Sequence, residues 1–280
     1  MKKFKNSRPP PRGHTRAPAR GGPPRPSNRP PLSAQKSNVP PGRCVVGIHA
    51  VRELLKVRSR SVNQMWIRDH FQDHPDLKQL HETAERSRIQ IHLQPAGVLD
   101  KVTSAHQGVL AFTEERPEID WQDLKTRERA VLLALDEVED PHNLGAVMRT
   151  AWLFGAQGIL IPENRSADLS PAVSKVAQGA VEHIPVEKDT SLPQQLLSLK
   201  DMGFWILGLS HKGKQSLFSF EVPQKIVWVL GSESSGIRKS VEGVCDDLIS
   251  IPQSNPDASY NVSVAAAVAM AETFRQSLNA

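Results

Sequence analysis

Beyond residue 130 the chain alternates continuous apolar runs with longer stretches of helical spacing. Residues 131–135, 158–161, 204–207, 226–230 and 248–251 are apolar at nearly every position, which marks strands covered on both faces. Between them, residues 144–154, 171–179, 192–202 and roughly 239–244 carry the helical period, and a last helix follows Tyr260. Strand and helix in turn predict an α/β fold with a mostly parallel sheet. Ligands of such sheets bind at the carboxyl ends of strands. The polar and glycine-bearing segments that follow Leu135, Leu230 and Ile251 fall at those ends.

Upstream the pattern is shorter. Residues 45–55 read as an extended piece running into a helix, 62–67 as a strand, 75–87 as a polar helix, and 89–93 and 109–112 as two further strands. This makes a small α/β domain over residues 42–116. A charged stretch containing Pro117 places a linker at 117–129 and leaves 130–280 for the larger domain.

Composition changes the picture most at the N-terminus. Residues 1–41 hold ten Lys or Arg, no Asp or Glu, and 11 of the 22 prolines. The formal charge of +5 is therefore a property of this tail, since residues 42–280 carry 25 basic against 30 acidic side chains. Such a segment cannot bury enough apolar surface to offset its ordering entropy, so a disordered tail is expected. A flexible polycation attracts phosphate backbones without sequence preference. A solubilising extension is the alternative, and the prolines oppose the amphipathic helix of a mitochondrial presequence. Two cysteines, Cys44 and Cys245, lie about 200 residues apart without companion spacing, which indicates neither a disulfide scaffold nor a cysteine-based zinc site. No apolar run reaches the roughly 18 residues of a membrane span, so a cytoplasmic protein without membrane attachment is expected.

Common motifs fit the loops poorly. Residues 231–236 have the G-x-x-x-x-G spacing of a phosphate loop, but Ile237 stands where the lysine belongs. The serine-rich stretch misses G-x-S-x-G, and no G-x-G-x-x-G opens a helix after a strand. The ten histidines show no H-E-x-x-H and no cysteine partner, so metal catalysis has no support.

What does match is a set of three segments. Asp140-Pro-His-Asn143-Leu-Gly145 through Arg149-Thr150, Gly231-Ser-Glu233-Ser-Ser-Gly236-Ile237, and Ile249-Ser-Ile251-Pro252 with Asn261-Val-Ser-Val-Ala265 resemble the three motifs of the SpoU, or trefoil-knot, RNA 2′-O-methyltransferases. Within that family the likeness is to the 23S ribosomal RNA guanosine-2′-O-methyltransferase type. The segments 46–50 and 106–109 are similar to its small N-terminal substrate-binding domain.

The resemblance implies a deep trefoil knot, which strand counting does not predict because knots are exceptions to ordinary topology. It also implies S-adenosyl-L-methionine as cofactor, with contacts at Leu209, Gly231, Ile251 and Tyr260, the last departing from the leucine usual there. The implied catalytic residues are Asn143, Arg149, Glu233 and Asn261, converging around the methyl group. Arg149 stands one turn beyond Gly145, whose missing side chain would leave room for a phosphate or ribose. A guanidinium with a pKa above about 12 is better suited to gripping phosphate and offsetting developing charge than to removing a proton. An arginine in an amphipathic helix is otherwise an ordinary solvated or salt-bridged residue. Asn143 and Asn261 are expected to begin their helices, and Glu233 to receive a ribose hydroxyl or hold Arg149. The alanine-rich segment 263–272 suggests close helix packing, and in this family a homodimer that completes each site. The partner is structured RNA, rRNA or alternatively tRNA. A non-catalytic RNA-binding ribosome-assembly factor is the reading of a different class.

Overall fold

The computed structural model describes residues 39–114, 116–255 and 258–278. All but the last three residues of the basic tail, and with them the expectation of its disorder, lie outside the described residues. The first module starts with β1 (Arg43–Val46), α1 (Ile48–Arg58), β2 (Val62–Arg68), α2 (Pro75–Arg86) and β3 (Gln90–Gln94), and closes with α3 (Ala96–Asp100) and β4 (Val109–Thr113). Its sheet runs β1-β4-β2-β3, with only β2 and β3 parallel. Leu54 of α1 and Leu77 and Leu80 of α2 pack with Met65 and Ile67 on one face. Trp66, Leu110 and Phe112 meet Leu99 of α3 on the other, Trp66 set edge-on to Phe112 at 5.1 Å. Gln107 joins the two ends of the module: its Oε1 accepts from the backbone N–H of Ile48 at 3.0 Å, satisfying one of the free donors at the start of α1.

The connecting segment is structured. Asp120 accepts from the N–H of Asp123 and starts α4 (Trp121–Thr126), and Ile119 and Leu124 are buried against the larger sheet. That sheet is built from β5 (Ala130–Asp136), α5 (Pro141–Leu153), β6 (Gly158–Pro162), α6 (Pro171–Ala177), β7 (Val186–Asp189), α7 (Leu192–Asp201), β8 (Trp205–Leu209), β9 (Gln215–Ser216), β10 (Lys225–Gly231), α8 (Lys239–Glu242), β11 (Asp247–Ser250) and α9 (Val262–Ser277). The strand order is β7-β6-β5-β10-β8-β11-β9, and every pairing is parallel.

Alternation along each strand explains why both faces are covered. In β5, Val131, Leu133 and Leu135 face α5, α6 and α9, while Leu132 and Ala134 join a second core with Leu196 of α7 and Val241 of α8. The small residues of α9 serve the first of these cores: Ala266, Ala269 and Met270 are buried there. Two strands, β7 and β9, were not expected from the pattern; both are short edge strands, Val-Glu-Lys-Asp and Gln-Ser, with no apolar run. No helix among the described residues is long and apolar enough to cross a membrane.

Candidate active site

The central strand β10 ends at Gly231, and the chain then folds back on itself. The N–H of Gly236 donates to the carbonyl of Ser232 at 2.9 Å, and Gly236 takes a φ of +67°. A Cβ on Gly231 would lie 2.0 Å from the carbonyl carbon of Gly236, so only glycine fits beneath this turn. Beside it a cavity of about 410 Å³ opens at the carboxyl ends of β8, β10 and β11. Leu209, Gly231, Ile251 and Tyr260 all line it, and the Tyr260 hydroxyl donates to the carbonyl of Pro252 at 3.2 Å.

Three polar side chains from three separate segments, the first turn of α5, the loop after β10 and the N-cap of α9, meet at the cavity's edge. Asn143 Nδ2 donates to Glu233 Oε1 at 3.1 Å; Asn261 Nδ2 donates to the same oxygen at 2.6 Å and to Asn143 Oδ1 at 2.9 Å. Asn261 is also the N-cap of α9, accepting from the backbone N–H of Ser263 at 2.9 Å. Asn143 does not cap α5. Asp140 does, accepting from the N–H of His142, which leaves Asn143 inside the first turn and only 8% exposed. A second cavity of about 330 Å³ lies against Asn143, Glu233 and the 232–235 loop, so Glu233 faces both spaces. Its Oε1 is taken by two amides, and its Oε2 has no partner among the described residues.

Arg149 is not part of this cluster. It follows Asn143 by six residues on α5, which on a helix is about 9 Å along the axis and about 120° around it. It is exposed, with no hydrogen bond or ion pair among the described residues, and Glu233 holds the two asparagines in its place. Nor does Gly145 leave room for a ligand. A Cβ there would lie 2.8 Å from Val176 Cβ and 2.9 Å from the Val173 carbonyl, so the glycine lets α5 and α6 touch.

One pair beneath the site was not singled out from the sequence. Asp136, fully buried at the end of β5, accepts from the Arg238 backbone N–H at 2.8 Å and from its Nε at 2.7 Å. The hydrogen bond to Asp136 holds the guanidinium's pKa above its ordinary value. This ties the end of β5 to the chain leaving the 232–236 turn. The signal was an aspartate ending a run of five apolar residues, since a buried carboxylate requires a partner. Burial pushes the Cys44 thiol up to about 11 and the Cys245 thiol up to about 12, which keeps both protonated near neutral pH.

The same two-module division appears in comparison with known families. Residues 130–271 match the SpoU rRNA Methylase family, and residues 44–118 match the RNA 2′-O ribose methyltransferase substrate-binding family. The chain belongs to the SpoU rRNA methylase family. Curated SpoU relatives align over most of its length. The 23S rRNA (guanosine-2′-O-)-methyltransferase RlmB of Nitrosomonas europaea is 38% identical over 237 residues, covering 83% of this chain and 91% of that protein. RlmB of Pseudomonas aeruginosa is 37% identical over 240 residues, covering 83% and 96%. The SpoU fold is also that of the methyltransferase AviRb from Streptomyces viridochromogenes, solved with AdoMet, at a TM-score of 0.73 and 20% identity over 85% of this chain and 91% of that one.

Proposed function

We propose that this SpoU protein methylates the ribose 2′-oxygen of a guanosine in 23S ribosomal RNA, using S-adenosyl-L-methionine. The observation that carries the reading is the Asn143–Glu233–Asn261 cluster set in the wall between two cavities. The larger cavity suits the cofactor: Gly231 allows close backbone approach, Ile251 offers an apolar flank for an adenine, and Leu209 and Tyr260 complete the lining. The cofactor supplies a methyl group activated on a sulfonium. Asn143 and Asn261 fix one oxygen of Glu233, which turns the other toward the second cavity, where it accepts from the 2′-hydroxyl and takes up its proton. With the cofactor held along Leu209, Gly231, Ile251 and Tyr260, its methyl would pass to the ribose 2′-oxygen as the carbon–sulfur bond breaks, leaving S-adenosylhomocysteine, and alignment of the two is the main work of the site.

Arg149 grips a phosphate beside the target ribose and offsets charge on the attacking oxygen. Its exposure and lack of a partner support its service to the site of a second copy, in a homodimer. The deep knot, the partition at residues 41, 116 and 129, phosphate attraction by the basic tail, and a cytoplasmic setting belong to the same proposal. Family membership supports the knot, the two family matches at 44–118 and 130–271 support the partition, and the ten basic residues without an acidic one support phosphate attraction by the tail.

Transfer from radiolabelled S-adenosyl-L-methionine to 23S rRNA tests the reading. Asn143→Ala and Arg149→Ala are each expected to lose transfer by about 10²–10⁴-fold while cofactor affinity stays within about twofold. Equal mixtures of the two inactive variants, unfolded and refolded together, should recover about a quarter of wild-type activity, because half of random dimers hold one intact site. Labelling of tRNA alone would redirect the substrate, and no transfer to any RNA would favour an assembly factor.

A further inference from the structure

Glu182 is a carboxylate that this chemistry does not use. It is 2% exposed and lies in the short 3₁₀ turn, residues 180–182, that follows α6. Its two oxygens accept from Arg43 at 2.6 and 2.8 Å and from Arg58 at 2.6 Å. Both arginines come from the small module, Arg43 at the start of β1 and Arg58 at the end of α1. Arg116, in the connecting segment, stands in the same field: burial and the like charge of Arg43 lower its pKa, and Glu182 opposes them.

The next residue repeats the arrangement. His183 Nε2 lies 2.9 Å from Glu53 of α1, and its ring lies flat on Trp152 of α5, 4.2 Å between centroids at 14°. Gly179, with a φ of +95°, lets α1 come close, since a Cβ there would sit 2.6 Å from Glu53 Cγ. Residues 179–183 therefore stand between the small module and the helix that carries Asn143, touching both.

A buried carboxylate is expensive to desolvate, and apolar packing would join two modules at least as firmly. A fully paired carboxylate fixes a single bearing instead. Two guanidiniums from different elements must both reach one group, so the module can neither slide nor rotate without leaving a buried charge unpaired.

We infer that Glu182 is a positioning residue, a lock that holds the small module at one orientation beside α5, so that RNA gripped by the module presents its ribose to Asn143, Glu233 and Asn261. The functional half of this role rests on the proposed methyl transfer; the structural half rests on the ion-pair geometry alone. Losing the lock lowers the effective concentration of ribose at the site, and leaves the cofactor cavity unchanged.

Small-angle X-ray scattering and steady-state kinetics of full-length Glu182→Gln test it. The expected result is a broadened distance distribution, an RNA KM raised about tenfold, and kcat and cofactor affinity within about twofold of wild type. The double variant Arg43→Gln/Arg58→Gln should give the same signature, and decides the matter alone if Glu182→Gln does not fold. Arg58→Lys, which keeps a cation, should recover part of the KM. Wild-type scattering and KM in a folded variant would overturn the lock, as would a lower kcat at unchanged KM, the mark of a merely structural loss. Loosened scattering in the variants with no RNA methylation by the wild type would leave the lock standing and overturn the reaction.

Discussion

Gly145 and Gly231 use a missing side chain in two different ways. At Gly145 the space is filled by Val173 and Val176 of a neighbouring helix; at Gly231 it is filled by the chain's own return at Gly236. Gly145→Ala should therefore be a packing defect, costing about 1–3 kcal/mol of stability by overpacking, with cofactor affinity unchanged. Gly231→Ala must move the turn that walls the cavity, and calorimetric titration should show S-adenosyl-L-methionine affinity down by about tenfold or more. Both glycines are visible in the motifs, but what surrounds Gly145 is not, because α6 begins 26 residues further along and no local rule says where it packs. Arg149 is legible as a motif residue, and what it faces is hidden for the same reason. Its type and spacing match the family, whereas the helix turns it about 120° from Asn143. Asn261 was easier, since an asparagine before a helical run is a cap by local chemistry.

Elements were legible where their burial was two-sided. The five apolar runs became the strands β5, β6, β8, β10 and β11 because helices cover both faces of that sheet. The edge strands β7 and β9 are polar and short, so nothing in their composition separates them from loops. The last helix is held by a bond that hydropathy alone does not reveal: Trp228 Nε1 in β10 donates to Thr273 Oγ1 at 2.9 Å, and that hydroxyl donates to the Ala269 carbonyl at 2.8 Å. Thr273→Val keeps the shape and removes the acceptor. The buried indole N–H is then unpaired, and urea denaturation should report a loss of about 1–3 kcal/mol. Because Asn261 caps this same helix and joins Asn143 and Glu233, the variant should also weaken methyl transfer modestly near its midpoint of unfolding.

At the scale of the whole molecule, the chain places a four-stranded module beside a seven-stranded one and concentrates its excess positive charge in residues 1–41. The matching families divide between the modules in the same way, substrate binding at 44–118 and methylase at 130–271. The separate roles explain why the polar contacts between them, centred on Glu182, are built from buried charges while each core is apolar. If this assembly delivers a methyl group to a ribose oxygen, the chemistry of RNA offers a direct check. A 2′-O-methyl group blocks the oxygen that alkali uses to cleave the adjoining phosphodiester. 23S rRNA labelled by the purified protein with radiolabelled S-adenosyl-L-methionine should therefore yield, after complete alkaline hydrolysis, its label in an alkali-resistant dinucleotide beginning with 2′-O-methylguanosine. Label recovered in mononucleotides, as from a methylated base, would contradict the account.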